Sequence, residues 1–379
     1  MIYNDFKGKK ISALGLGCMR LPTIDGNDSH IDIQKTEEMI DFAIKSGVNY
    51  FDTAWGYHGG KSEETVGEIL SKYPRDSYCI ASKFPGYDLA NMDKISEIFP
   101  EQLKRCKVDR FDFYLFHNVC ETNIDAYLDK KYGILEYLLE QKKNKKITHI
   151  GFSVHGNIDT TRRFLSAYGE HIDFCQIQLN YLDLTYQDAK AKLELLAEYN
   201  IPVFVMEPLR GGKLASLSEQ YMSQLKVHRE DENAVGWAFS FLQSYPQVIM
   251  TLSGMSSLMQ LEENIGHFSD STPLTDAEMS TLLLIADDMI NNRIIPCTKC
   301  KYCISHCPLE LNIPYLLKLY NDTTFSGGSF TTPRILKKAP KNRLPSACLG
   351  CRNCEAVCPQ NIKISDALHD FAEKISRDR

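Results

Sequence analysis

The 379-residue chain has no uninterrupted apolar run near the roughly 18 residues a membrane-spanning helix needs, and charges fill Met1–Lys10 where a secretory signal would carry its apolar core. These absences predict a soluble, cytoplasmic protein with no membrane partner. A basic surplus is lacking too. With 43 Lys+Arg against 49 Asp+Glu the formal charge is -6, which argues against nucleic acid as a bulk electrostatic partner. Apolar residues at 43% and charged residues at 24% are ordinary, so disorder and collagen-like repeats are excluded. No glycine-rich dinucleotide fingerprint follows the first strand-like run, Ala13–Arg20, and no flavin motif is visible.

What the chain has in excess is cysteine at one end. Eight of its 13 cysteines fall after residue 296, in two arrays. Cys297-x2-Cys300-x2-Cys303-x3-Cys307-Pro308 is followed 51 residues later by Cys348-x2-Cys351-x2-Cys354-x3-Cys358-Pro359. Ile313 and Ile364, then Leu317 and Leu368, continue the repeat beyond the cysteines. A disulfide framework would call for a secretory signal, and a zinc ribbon for two separated ligand pairs. Residues 297–379 carry a formal +6, leaving -12 for residues 1–296. Between the arrays an apolar helical stretch near Ile313–Tyr320 and a Gly/Ser/Thr loop at Thr323–Thr332 are expected. The other five cysteines, Cys18, Cys79, Cys106, Cys120 and Cys175, stand among apolar residues and read as buried small hydrophobes.

The paired arrays resemble the bacterial two-cluster ferredoxin motif, in which three close thiolates hold one 4Fe-4S cube and the fourth, before proline, reaches the other. The resemblance implies two 4Fe-4S clusters. One would take Cys297, Cys300, Cys303 and Cys358, and the other Cys348, Cys351, Cys354 and Cys307.

Upstream, short apolar runs alternate with amphipathic helical stretches, the pattern of parallel strands joined by crossover helices. Eight such runs occur: Ala13–Arg20, Tyr50–Thr53, Tyr78–Lys83, Phe111–His117, Thr148–Ser153, Phe174–Asn180, Val203–Glu207 and Val248–Ser253. That arithmetic favours an α/β (β/α)8 TIM barrel, with a doubly wound sheet as the competitor. The expected organisation is a barrel over residues 1–285 followed by a small cysteine-rich, ferredoxin-like iron–sulfur domain over 286–379. In a barrel, polar residues at strand ends converge. Asp52, Lys83 and His117 close the second, third and fourth runs, and Tyr57 follows Asp52 by five residues. Hydride reduction of a carbonyl leaves an alkoxide that needs a proton. A tyrosine beside a lysine cation, itself anchored by an aspartate, is expected to be tuned downward from its usual 10, and His117 could hydrogen-bond the carbonyl oxygen.

These residues resemble the aldo-keto reductase family, in the pieces Phe51-Asp52-Thr53-Ala54 with Tyr57, Ser82-Lys83, and Leu115-Phe116-His117. The similarity runs over residues 10–268. It implies Tyr57 as general acid, Lys83 and Asp52 as its tuning pair, and His117 as the substrate-orienting group. It also implies an extended nicotinamide cofactor, NADP or NAD, held by Met19, Ser153, Gln176, Asn180, Met206, Pro208, Leu209, Gly254, Gln260, Glu263 and Asn264. Met206 replaces the aromatic that usually stacks on the nicotinamide, and Val154 an asparagine. Gly254 and Gln260 stand where many members bind a 2′-phosphate with Lys and Arg, so NADP is not favoured over NAD. His58 is expected in a loop. Three readings follow. The first is an NAD(P)H-dependent carbonyl reductase or alcohol dehydrogenase acting on a small carbonyl or alcohol substrate, its clusters linked to a ferredoxin- or flavodoxin-like electron partner. The others are a redox-sensing or electron-transfer protein with a nucleotide-binding barrel, and a plain reductase with structural clusters.

Overall fold

Two short antiparallel strands, β1 (Tyr3–Phe6) and β2 (Lys9–Ser12), precede eight parallel strands: β3 (Leu14–Gly17), β4 (Tyr50–Asp52), β5 (Cys79–Phe84), β6 (Phe111–Val119), β7 (Ile147–Val154), β8 (Phe174–Gln178), β9 (Val203–Met206) and β10 (Val248–Ser253). The eight close into a barrel, each paired with its sequence neighbours and β10 returning to β3. This is the (β/α)8 architecture. The computed structural model describes residues 1–293, 295–297, 300–326 and 331–377. The chain divides into two units, residues 1–209 with 218–281, and residues 210–217 with 282–379.

The strands are mostly apolar because both faces are buried, one against the crossover helices and one inside the barrel. Helices Ile33–Lys45, Ile158–Tyr168, Ala234–Gln243 and Leu258–His267 begin where Asp32, Asn157, Asn233 and Ser257 accept a hydrogen bond from an otherwise unpaired first-turn amide. The interior is aromatic: Phe6, Tyr50, Phe113, Phe174 and Phe204 form one cluster with Met250 and Leu252. Gly151 makes room for it, since a Cβ there would run into the Phe174 ring.

The β1–β2 hairpin, which the strand pattern did not anticipate, turns through Lys7 (φ 51°) and Gly8 (φ 85°). That is the mirror-image turn that matches strand twist. Phe6 from this hairpin joins the barrel core. Its lysines join buried carboxylates: Lys7 and Lys142 meet Asp173, while Lys9 (3.1 Å) and Arg75 (2.8 Å) meet Asp112. Both aspartates also accept a strand amide, from Ile150 and Ile80.

The second unit has its own small core, built from Leu311, Ile313, Leu316, Leu317, Leu319, Ile362, Ile364, Leu368 and Phe371. The helices Ile313–Ser326 and Ile364–Arg377 pack on each other, as do the one-turn helices Tyr302–Ser305 and Asn353–Ala356. In the stretch expected as a loop at Thr323–Thr332 the described residues are helical: the first helix runs on to Ser326 and another spans Thr331–Lys338. Residues 327–330 lie outside the described residues. Leu319 and Thr323 are buried on this helix, so apolar packing overrides the weak helix propensity of the threonines.

Candidate active site and cluster turns

Asp52 ends β4, Lys83 lies near the end of β5 and His117 near the end of β6, while Tyr57 opens the turn after β4. The barrel brings the four together. The buried Lys83 ammonium donates to the Asp52 carboxylate, to the Thr53 carbonyl (2.8 Å) and to the Tyr57 hydroxyl (3.3 Å). It also stands 4.8 Å from the centre of the Tyr57 ring. The His117 imidazole meets the Tyr57 ring edge-on, with centres 5.9 Å apart.

Burial dominates the titration of this group. It pushes the Tyr57 phenol above its ordinary 10, with the Lys83 cation pulling it back. The expected downward tuning is thus present as a component and outweighed by desolvation. Burial also raises the Asp52 carboxyl against the pull of Lys83 and Gln176. Burial works to lower Lys83, but the Asp52 and Tyr57 charges outweigh it and hold the ammonium above its usual value.

A second polar layer, not anticipated from the sequence, holds the lysine strand from behind. Glu63 is fully buried and accepts from Ser82 (2.6 Å) and Gln102 (2.6 Å). Gln102 also donates to the Lys83 carbonyl (3.1 Å) and accepts from the Tyr114 hydroxyl (2.6 Å). Arg105 lies 3.6 Å from Glu63 and stacks over the ring of Trp55, two residues before Tyr57. A helix-borne glutamine and a lone glutamate leave no periodic signal, so only the fold could reveal them.

His58 lies in the turn after β4, where it is a buried clamp at φ 53°. Its Nε2 accepts from the Leu21 amide (3.0 Å), so Nδ1 carries the proton and donates to the Asp28 carbonyl (2.7 Å). Of the five scattered cysteines four are buried, Cys18 beneath the tetrad among them, but Cys120 is half-buried beside Thr122.

The nucleotide candidates separate into two groups. Ser153 and Gln176 are register partners on β7 and β8. Ser153 Oγ accepts from the Asn118 amide (2.8 Å), and Gln176 Oε1 is buried with no hydrogen-bond partner among the described residues. A buried acceptor costs about 1–3 kcal/mol unless paired, so this atom fits a ligand amide, as a nicotinamide carboxamide would supply. Met19, Met206, Pro208 and Leu209 lie at or just past the ends of β3 and β9. Gly254 follows β10, where a Cβ would press on the Arg20 side chain. The rest hold protein partners. Asn180 binds Asp183 and the Glu207 carbonyl, Asn264 binds Ser253, Glu263 binds Asn233, and Gln260 accepts from the Ser256 amide. Asn180, completely buried, therefore shapes the loop after β8.

In the second unit the two arrays fold alike. Cys307 and Cys358 amides bond the carbonyls of Ile304 and Glu355, both at 3.1 Å. Lys301 and Arg352, directly after the second cysteine of each array, take the left-handed conformation at φ 68° and 59°. Cys297, Cys300, Cys303 and Cys358 line one apolar cavity with Pro314, Leu317 and Ile364. Cys307, Cys348, Cys351 and Cys354 line a second with Leu311, Ile313 and Leu368. Each cavity thus draws three thiols from one array and the pre-proline thiol from the other, an all-sulfur donor set suited to iron–sulfur clusters.

Comparison with known proteins agrees with both halves. The model of the aldo/keto reductase family matches residues 13–285, and that of a 4Fe-4S dicluster domain matches residues 296–363. An uncharacterised oxidoreductase of Bacillus subtilis is 25% identical, over 72% of this chain and 92% of its own length. The NADH-specific methylglyoxal reductase of Escherichia coli is 24% identical over 73% of this chain and 95% of its own length. Among solved structures, the holo form of an aldo-keto reductase from Bacillus halodurans superposes with a TM-score of 0.62 at 24% identity, covering 75% of this chain and 96% of that one, a likeness of fold. With a closed barrel that joins aspartate, tyrosine, lysine and histidine at its strand ends, and a family model spanning most of its length, this chain belongs to the aldo/keto reductase family and carries an iron–sulfur domain after the barrel.

Proposed function

We propose that the protein is an NAD(P)H-dependent reductase of small carbonyl compounds, reversible toward the alcohol, that carries two 4Fe-4S clusters. The observation that supports this most is the buried Lys83 ammonium, shared between the Asp52 carboxylate and the Tyr57 hydroxyl with the His117 ring alongside. When bound, the nicotinamide supplies a hydride to the carbonyl carbon. Tyr57, kept protonated by burial, donates its phenolic proton to the carbonyl oxygen as negative charge develops there. His117 orients that oxygen by hydrogen bonding. Lys83 stabilises the phenolate that remains, and Asp52 keeps the ammonium charged and in place. The unpaired Gln176 Oε1, with Ser153 beside it in register, would receive the nicotinamide carboxamide.

Cys297, Cys300, Cys303 and Cys358 would hold one cluster, and Cys307, Cys348, Cys351 and Cys354 the other. Cys300 and Cys351 are exposed, one from each set, which supports exchange of electrons with a ferredoxin- or flavodoxin-like carrier over a purely structural role. Thirteen cysteines with no disulfide among them suit the cytoplasm, where disulfides are rare. No helix among the described residues is long and apolar enough to cross a membrane.

The test is an anaerobic titration of cluster-reconstituted protein with NADH and then NADPH, following tryptophan emission and the visible cluster absorbance together. Quenching with bleaching of the cluster band is expected if nucleotide electrons reach the clusters. Quenching without bleaching would leave a reductase whose clusters serve another partner or the fold. Failure of both nucleotides to bind would refute the reductase reading.

A further inference from the structure

The imidazole of His117 is walled by two phenol rings. Besides Tyr57, the ring of Tyr87 stands almost perpendicular to it, at 88° with centres 5.1 Å apart. Edge-to-face contacts at this spacing are attractive and directional. The other end of Tyr87 reaches the backbone before Tyr57: a Cβ on Gly56 would collide with the Tyr87 hydroxyl. One side chain therefore touches both the imidazole and the turn that carries the phenol.

The segment bearing Tyr87 is held rigidly. The Gly86 amide bonds the Phe84 carbonyl (2.8 Å), and Asn91 bonds the Pro85 carbonyl (3.2 Å). Gly86 packs so closely on Tyr127 that any Cβ would enter its ring. The Tyr127 hydroxyl in turn donates to the His117 carbonyl (2.8 Å). Asn123 bridges the same two segments, donating to the carbonyls of Asn118 (2.8 Å) and Gly86 (3.3 Å). Tyr87 and His117 are thus fastened by backbone as well as by ring contact.

We propose that Tyr87 is a positioning and specificity-determining residue of the reductase site: it fixes the gap between Tyr57 and His117 and limits the carbonyl admitted there to short-chain compounds. This rests on the reductase reading above. A carbonyl oxygen placed between the Tyr57 hydroxyl and the imidazole puts its substituents beside the Tyr87 ring, so a compact aldehyde or dicarbonyl fits and a bulky aryl ketone meets the ring. The ring's contact with His117 and its hydroxyl's approach to Gly56 hold it in place, so the size limit is expected already in the free enzyme.

The experiment compares Tyr87→Ala and Tyr87→Phe with the parent protein, using a three-carbon dicarbonyl and an aryl ketone as substrates and the Cε1 proton of His117, assigned with His117→Ala, as a nuclear magnetic resonance reporter. Tyr87→Ala is expected to raise the ratio of kcat/KM for the large over the small substrate at least about tenfold, the usual worth of a changed apolar pocket wall, and to shift the His117 signal. Its kcat on the small substrate should fall more than KM rises. Tyr87→Phe, which keeps the ring, should hold the selectivity ratio within about threefold and leave the His117 signal in place. An unchanged ratio and signal in Tyr87→Ala would overturn the proposal. A parent protein that reduces no carbonyl with either nucleotide would refute the reductase reading and the size limit with it, while the His117 signal still decides the positioning role.

Discussion

The Arg105 guanidinium lies 3.7 Å from the centre of the Trp55 ring, and it lies 3.6 Å from the buried Glu63 carboxylate as well. The cation thereby ties the turn before Tyr57 to the layer that supports Lys83. Arg105→Met keeps the aliphatic stem and removes the charge. We expect a shift of the Trp55 emission and a loss of about 1–3 kcal/mol of barrel stability, since the stacking is lost and Glu63 loses its cation. Thermal melts and steady-state fluorescence measure both.

Tyr57→Phe removes the proposed acid and leaves the ring. Carbonyl reduction should drop by about 10²–10⁴ while nucleotide still quenches tryptophan emission. Quenching lost in step with activity would show that the tyrosine acts through binding.

The pH profile follows from the raised phenol. The protonated form is the active one, so the limb assigned to Tyr57 should fall only as pH rises beyond the ordinary 10. Lys83→Met removes the cation that pulls the phenol down, and so should move the limb still higher while lowering the rate on the plateau. A limb that moved down would contradict this arrangement.

Stability toward acid has two separable parts. Burial holds His149 down at about 4 from 6.5, so the unfolded chain binds more protons and stability falls as pH drops from about 6.5 to about 4. Arg229 holds Glu278 at about 2 from 4.5, so its contribution is present above about 4.5 and is lost as pH falls toward about 2. Glu278→Gln should flatten only the lower window. Urea midpoints measured across pH would resolve the two, each worth up to about 3 kcal/mol.

For the clusters, Cys354→Ser should leave one of the two thiol sets intact. Bound iron is expected to fall from about eight to about four atoms per chain, with one paramagnetic signal retained after reduction. Loss of all iron would mean that the sets assemble only together.

Legibility followed burial. The barrel strands could be read because two-sided burial leaves an uninterrupted apolar run, and the tetrad because three of its members end such runs. The hairpin escaped because β1 and β2 are short and charged, with Asp5, Lys9 and Lys10 facing outward or into ion pairs. Cysteine spacing displayed the sulfur sets, since the ligand geometry constrains the sequence directly. Tyr87, Glu63, Gln102 and the clamp at His58 depend on which loops meet in space, and no local pattern encodes that. The phenol's upward direction is not legible in sequence, because a neighbouring cation is visible there and the degree of burial is not.

The β1–β2 hairpin also bears on how the barrel closes. The Ile2 amide bonds the Phe268 carbonyl, the Ala13 carbonyl receives the Thr251 amide, and Phe6 packs against Phe113, Phe174 and Phe204. Two backbone bonds beside the hairpin, Ile2 to Phe268 and Ala13 to Thr251, therefore join residues far apart in the sequence. Until β10 pairs with β3, the barrel is an open sheet with an unpaired β3 edge. Closure of the barrel is therefore a long-range step, of the kind that slows folding.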